Sequence, residues 1–171
     1  MTTNLDSPRS RTHTWRQPLP WAQLGDLSGR DLLQKILDGE VPEPPITGTL
    51  GFRLTEIGDG TASFEGDPGE HLLNPMGTVH GGFLATLLDS ALGSAIATQL
   101  PRGRVYTTMQ LNMHLVRPVL TDTPRLRCDA VTVHVGRTMA TAEARVVDVA
   151  GGKLYAHATT TCAVIASSRP A

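Results

Sequence analysis

The chain has 171 residues, 15 basic against 16 acidic side chains and a net charge of −1. That length supports one domain with a substantial core, and the near-neutral balance leaves no electrostatic footprint for nucleic acid. The two cysteines, Cys128 and Cys162, fall in predicted strands without metal-ligand spacing, so a reduced, cytoplasmic protein is expected rather than a disulfide scaffold or a metal site.

Residues 1–22 are rich in Thr, Ser, Arg and Pro and include Trp15 and Trp21. They read as a flexible arm and lack the apolar run of a secretory leader. Leu24–Leu37 has helical apolar spacing with Ser28 as a candidate N-cap. Gly39 and the run Pro42–Pro45 end that helix and form a stiff connector. The division expected is therefore an arm (1–22), a helix and connector (23–45), a folded domain (46–166) and a short tail (167–171). The domain opens with two short strands, Leu50–Ile57 and Thr61–Glu65.

The stretch from Asn74 to Asp89 dominates the rest of the chain. Its first half is polar and turn-like, and its second half opens a helix predicted from Val79 to Leu100. Apolar residues cover nearly its whole circumference, so it should be buried on most sides. Pro101 and Gly103 stop it. It is about long enough to span a bilayer, but His80, Asp89, Gln99 and the glycines make it a poor span. Val105–Val116 alternates, with Val105, Met109, Leu111, Met113 and Leu115 on one face. Leu126–Val135 is a further strand, with a parity switch near Ala130–Val131 that predicts a bulge. Thr138–Val149 and Leu154–Ile165 form a hairpin. The sum is an α+β fold: about six antiparallel strands curled around one long central helix.

Asp89 is the chemical oddity, because a carboxylate has no folding reason to sit in so apolar a helix. It is either a general base or a nucleophile, or a carboxylate bonded to a neighbouring loop. Gly81 and Gly82 sit where a helix N-terminus exposes N–H groups able to stabilise charge on a carbonyl oxygen; they also serve a tight turn. His80 either orients this entry or is satisfied by backbone groups. Asn74 either holds a water or thioester oxygen or shapes the turn. Asp89 lies seven residues beyond Gly82, about 10 Å along a helix. One helix copy therefore serves a single carbonyl poorly, and two antiparallel copies in a dimer serve it better. No P-loop, dinucleotide fingerprint or nucleophile elbow is present.

The pattern Asn74-x-x-Gly77-x-x-His80-Gly81-Gly82 followed by Asp89 resembles the active-site signature of the PaaI-like hotdog thioesterases. Thr107-Thr108-Met-Gln-Leu-Asn112, Arg117-Pro118, Gly136-Arg137 and the closing Gly152–Thr159 segment are similar to that family as well. The resemblance covers about residues 46–166. It implies a hotdog fold, dimers joined by their sheets and often dimers of dimers. It also implies hydrolysis of aliphatic or aryl acyl-CoA thioesters, with no metal or redox cofactor and coenzyme A only as part of the substrate. By motif match, Asp89 would activate water or attack the acyl carbon, and the Gly81 N–H would polarise the carbonyl. His80 and Asn74 would support the carbonyl, the leaving sulfur or the water. Thr108, with Thr107 one residue away, would hold the attacking water. Gly82, Leu115 and the turn Val135, Gly136, Arg137, Thr138 and Met139 would line the substrate site. The N-terminal 45 residues exceed the minimal fold and would cap the acyl site or cover a sheet edge. A dehydratase on the same fold uses its histidine in a different setting. A non-catalytic acyl-CoA-binding module and an interaction protein working through its tryptophan-bearing arm are the other readings.

Overall fold

The computed structural model describes residues 7–20, 23 and 25–167. Trp21, Leu24 and residues 168–171, assigned above to the arm, the first helix and the tail, lie outside the described residues. Residues 7–20 form no helix or strand. They lie along the domain, where Arg11 donates to the Thr49 carbonyl at 2.9 Å and Arg9 pairs with Glu70.

Helix α1 spans Gly29–Leu37, and Ser28 caps it by accepting from the Asp31 N–H. It begins later than its apolar spacing implies because the cap stands at Ser28 and fixes the first turn there. A second helix, α2 (Pro45–Leu50), was not expected from the sequence. Proline at its first position suits a helix start. Gly51, with φ of 79°, ends it in the left-handed conformation that glycine alone adopts freely. Leu50 thus closes a helix instead of opening a strand.

The strands are β1 (Phe52–Ile57), β2 (Thr61–Gly66), β3 (Arg104–Leu115), β4 (Leu126–Val135), β5 (Met139–Asp148) and β6 (Leu154–Ala166). They form one sheet in the order β1-β2-β4-β5-β6-β3, and every pairing is antiparallel. Helix α3 (Gly81–Ala97) lies across it, touching β2, β3, β4 and β5. Leu87, Leu88, Leu92 and Ile96 of α3 are fully buried. Each such side chain is worth about 1.5–3 kcal/mol of burial, so the helix is the core about which the sheet curls. This is the α+β arrangement expected.

Two register shifts matter. In β4 the shift falls between Thr132 and His134, not at Ala130–Val131. The apolar residues that suggested Ala130–Val131, namely Val131 and Val133, simply face outward and are exposed. In β3 the shift lies between Thr108 and Gln110, leaving Met109 unpaired and exposed. A bulge re-aims every side chain beyond it. Tyr106 and Thr108 therefore face α3 before the bulge, and Leu111 and Met113 face the core after it. The single apolar face expected for this strand does not exist.

Candidate active site

The loop before α3 is held by its own asparagine. Asn74 Oδ1 accepts from the N–H groups of Met76 (2.9 Å) and Thr78 (3.2 Å), and its Nδ2 donates to Thr78 Oγ1 (2.8 Å). Gly77 takes φ of 78°, which a side chain would resist. Within one protomer, then, the Asn74 amide is engaged in shaping the turn. The chain next enters α3 under tight control: Val79 N–H donates to Val119 O and His80 N–H to Leu72 O, both at 2.8 Å.

His80 is the N-cap of α3, and its Nδ1 accepts from the Gly82 N–H at 2.8 Å. The neutral ring therefore carries its proton on Nε2. This bond occupies the Gly82 donor, and the Phe83 N–H is taken by His80 O at 3.0 Å. Among the described residues the Gly81 N–H finds no partner. Of the two glycines considered, Gly81 is the one left with a free donor at the positive end of the helix. Leu115 lies against it, within 2.7 Å of where a Cβ would stand.

Asp89 sits partly buried two turns further along α3. Thr108 Oγ1 donates to its Oδ1 at 2.9 Å. Thr107, the alternative hydroxyl, is exposed. Asp89 Oδ2 has no hydrogen-bond partner among the described residues. Behind Thr108 lies Cys162, with Sγ 3.9 Å from Thr108 Oγ1. Burial pushes the Cys162 thiol up, so it stays protonated. Tyr106, one inward position before Thr108, lies over Gly93 of α3; a Cβ there would come within 2.4 Å of the ring. Burial, and after it the charge of Asp89, push the Tyr106 phenol far above its usual range.

A cavity of about 200 Å³ opens beside the Asp89 carboxylate. Leu54, Phe64, Ser90, Ser94 and Tyr106 form its inner walls. Its outer wall comes from α1, the connector and α2. An apolar pocket with a few convergent polar groups is the usual form of a small-molecule site. Sequence reasoning missed Tyr106, and it left open whether the N-terminal segment caps the acyl site or covers a sheet edge. The one available signal was Gly93, a glycine inside a buried helix, which marks a close approach by another group.

The remaining candidates divide by position. The turn from Val135 to Met139 is closed by Gly136 N–H to Met139 O at 2.8 Å, and Arg137 and Thr138 are exposed on it. Met139 stands level with Thr107, since both pair with Ala163. Leu115, beside Gly81, lies eight residues further along β3, roughly 27 Å away. Gly81 and Asp89 are themselves about 12 Å apart along α3. One protomer does not gather these groups around a single thioester. Strand β3 is an outer strand of the sheet, and a second copy running antiparallel along that edge would bring opposite ends together. Among the described residues no cluster of His, Cys, Asp or Glu is placed to hold a metal ion. No helix among them is long and apolar enough to cross a membrane.

Residues 76–166 match the family model of the thioesterase superfamily. A candidate esterase from Halobacterium salinarum is 33% identical over 117 residues, covering 66% of this chain and 76% of the relative. The crystal structure of a candidate thioesterase from Ralstonia eutropha, described as related to phenylacetic acid degradation, superposes with a TM-score of 0.69. It is 30% identical, over 76% of this chain and 97% of that one. A variant of the phenylacetic acid degradation protein PaaI from Thermus thermophilus gives a TM-score of 0.63 at 32% identity, over 70% of this chain and 98% of that one. The fold, the glycine-led helix and these likenesses agree, and the chain belongs to the thioesterase superfamily, as a PaaI-like member with the hotdog fold.

Proposed function

We propose that the protein hydrolyses acyl-CoA thioesters to a free acid and CoA, with Asp89 as general base in a site shared by two subunits. One observation carries this reading. A carboxylate on an otherwise apolar helix is held at one oxygen by Thr108, is free at the other, and borders an apolar cavity. Buried side-chain polar atoms usually have a hydrogen-bond partner. An unbonded carboxylate oxygen on a residue that lines a cavity is available for proton transfer.

In this mechanism Asp89 Oδ2 takes a proton from water as the water oxygen adds to the thioester carbonyl carbon. The Gly81 N–H of a second copy, at the positive end of its helix, stabilises the charge that forms on the carbonyl oxygen. The C–S bond then breaks, and the proton held by Asp89 passes to the departing sulfur. Thr108 fixes the carboxylate and offers its oxygen lone pairs to the water. His80 holds the helix entry so that Gly81 presents its donor. Leu115, Gly82 and the Val135–Met139 turn of the facing subunits line the CoA channel. The reaction needs no metal or redox cofactor. Pairing along β3 makes the functional unit a homodimer, or a dimer of dimers. Cys128 and Cys162 are both free and buried, which suits a reducing cytoplasm.

The test is free-thiol release from a panel of aliphatic and aryl acyl-CoAs by the wild type and by Asp89→Asn. Turnover by the wild type, lost by a factor of about 10²–10⁴ in the variant, is the expected outcome. A folded Asp89→Asn protein with full activity removes Asp89 from the mechanism. Tight acyl-CoA binding without thiol release identifies a binding module instead.

A further inference from the structure

The outer wall of the Asp89 cavity comes from the segment ahead of the sheet. Ile36 is on α1, Pro44 on the connector, and Ile46 and Thr47 on α2. All precede residue 76, where the match to the family model begins. This segment is anchored firmly. The Gly29 N–H donates to Leu100 O at 3.1 Å, and Gly29 sits so close to α3 that a Cβ would meet Ala97 O at 2.1 Å. At the other end, Thr47 is buried and α2 packs on β1. The wall is thus a fixed part of the molecule, continuous with the core through Leu33.

We propose that this N-terminal segment is the specificity wall of the acyl pocket and limits the enzyme to compact acyl groups. The inference rests on the thioesterase reading above, because it takes the group bonded to the carbonyl at Asp89 to be the one that enters the cavity. Its size follows from the cavity. An apolar cavity of roughly 150 Å³ takes up benzene, and this one measures about 200 Å³. It therefore accepts one ring with a short substituent, or an aliphatic chain of similar volume. Its length agrees. The pocket follows α3 from Asp89 to Ser94, five residues or about 7.5 Å. Tyr106 lines the inner side, held there by its packing on Gly93. A long fatty acyl chain exceeds this volume and would have to project beyond the cavity.

The experiment measures kcat/KM of the full-length protein for butanoyl-, hexanoyl-, benzoyl-, decanoyl- and hexadecanoyl-CoA. Two wall variants are run beside the wild type. Ile36→Ala opens the wall. Ile46→Trp fills the mouth from a position that is 44% exposed and so tolerates the larger ring. Circular dichroism and thermal melts confirm that both fold. The wild type should favour the compact group by at least about tenfold over decanoyl-CoA, since one methylene in a tight pocket already discriminates on that scale. Ile36→Ala should move the preference toward decanoyl-CoA, and Ile46→Trp toward butanoyl-CoA. Identical profiles for all three active proteins would overturn the proposal and leave the thioesterase reading intact. If no thioester is cleaved, that reading fails. Binding of the same acyl-CoAs, measured by titration calorimetry, then decides the wall's role. Affinities that follow acyl size and shift with the wall variants uphold it, and affinities indifferent to both overturn it.

Discussion

The Thr108 hydroxyl donates to Asp89 Oδ1 across 2.9 Å, joining the outer strand β3 to the central helix α3. The bond exists because Met109 is bulged out of the β3–β6 pairing. Were Met109 paired in regular alternation instead, the inward parity set by Leu111 and Met113 would point Thr108 away from the helix. A register irregularity is thus what delivers a hydroxyl to the carboxylate. It also leaves Oδ2 as the carboxylate oxygen of Asp89 without a hydrogen-bond partner among the described residues.

Replacing Thr108 by valine keeps the shape and removes the hydroxyl. A hydrogen bond to a charged group is worth about 1.5–3 kcal/mol, which corresponds to roughly a tenfold to hundredfold loss. We expect that loss in kcat, with KM little changed, and substantial recovery in Thr108→Ser. A loss confined to KM would assign Thr108 to substrate binding instead. Thr107→Val, on the exposed side of the strand, should leave both parameters unaltered.

The general-base assignment differs from a nucleophilic one in what accumulates. Mass spectrometry of rapidly quenched enzyme, mixed with a good thioester substrate, should show no acyl adduct on Asp89. An adduct on that residue would establish a mixed anhydride and recast Thr108 as a group that orients the nucleophile.

His80 acts through the helix entry. Its Nδ1 occupies the Gly82 N–H, so His80→Ala leaves that donor unpaired and removes an N-cap, at a cost of about 1 kcal/mol. His80→Asn supplies another capping side chain and should recover most of the thermal stability. Activity that returns with the melting temperature would show that His80 works by holding Gly81 in place. Activity that stays low in a fully stable His80→Asn protein would instead place the ring on the substrate.

Much of this arrangement was legible in the chain. Leu87, Leu88, Leu92 and Ile96 announce a helix buried all round, and Asp89 stands out against them because nothing in the packing calls for a charge. The His80-Gly81-Gly82 run marks the helix start for an equally local reason. The bulge was not legible, because Met109 is apolar and fits an inward pattern that the folded strand does not follow. The pocket wall was legible only in part, since the N-terminal helix and connector were expected either to cap the acyl site or to cover a sheet edge. Leu33 and Ile36 show that α1 has an apolar stripe, but such a stripe specifies burial and not the surface that provides it. Pro44 and Pro45 read as a stiff connector, and the short helix they initiate depends on Gly51 and on packing against β1.

Gly93 tests the inner side of the pocket. A methyl group there would stand 2.4 Å from the Tyr106 ring and hydroxyl, so Gly93→Ala must displace the tyrosine. Overpacking of this kind typically costs about 1–3 kcal/mol, which thermal melts would show. The double variant Gly93→Ala/Tyr106→Leu should regain stability, because the smaller side chain vacates the contested space. An unchanged melting temperature in Gly93→Ala alone would mean that Tyr106 is not held against α3.

The N-terminal arm should respond to pH through His71. Arg11 Nη1 lies 2.5 Å from His71 Nε2, an arrangement that requires a neutral imidazole to accept from the guanidinium. Partial burial and then the Arg11 charge hold the His71 pKa below its usual value of 6.5. A group whose pKa is lowered by folding contributes its stability in full above the unfolded value. That contribution is lost as pH falls through the folded value. Between about pH 7.5 and pH 5.5 the wild type should therefore lose more thermal stability than His71→Gln, which cannot protonate. Arg11→Ala should fall between the two, because it removes the Arg11 charge but leaves the burial that is the larger cause. Because both side chains are exposed, the difference will be modest, and the comparison needs both variants at each pH. Parallel losses in all three proteins would show that the Arg11–His71 contact carries no pH-dependent stability.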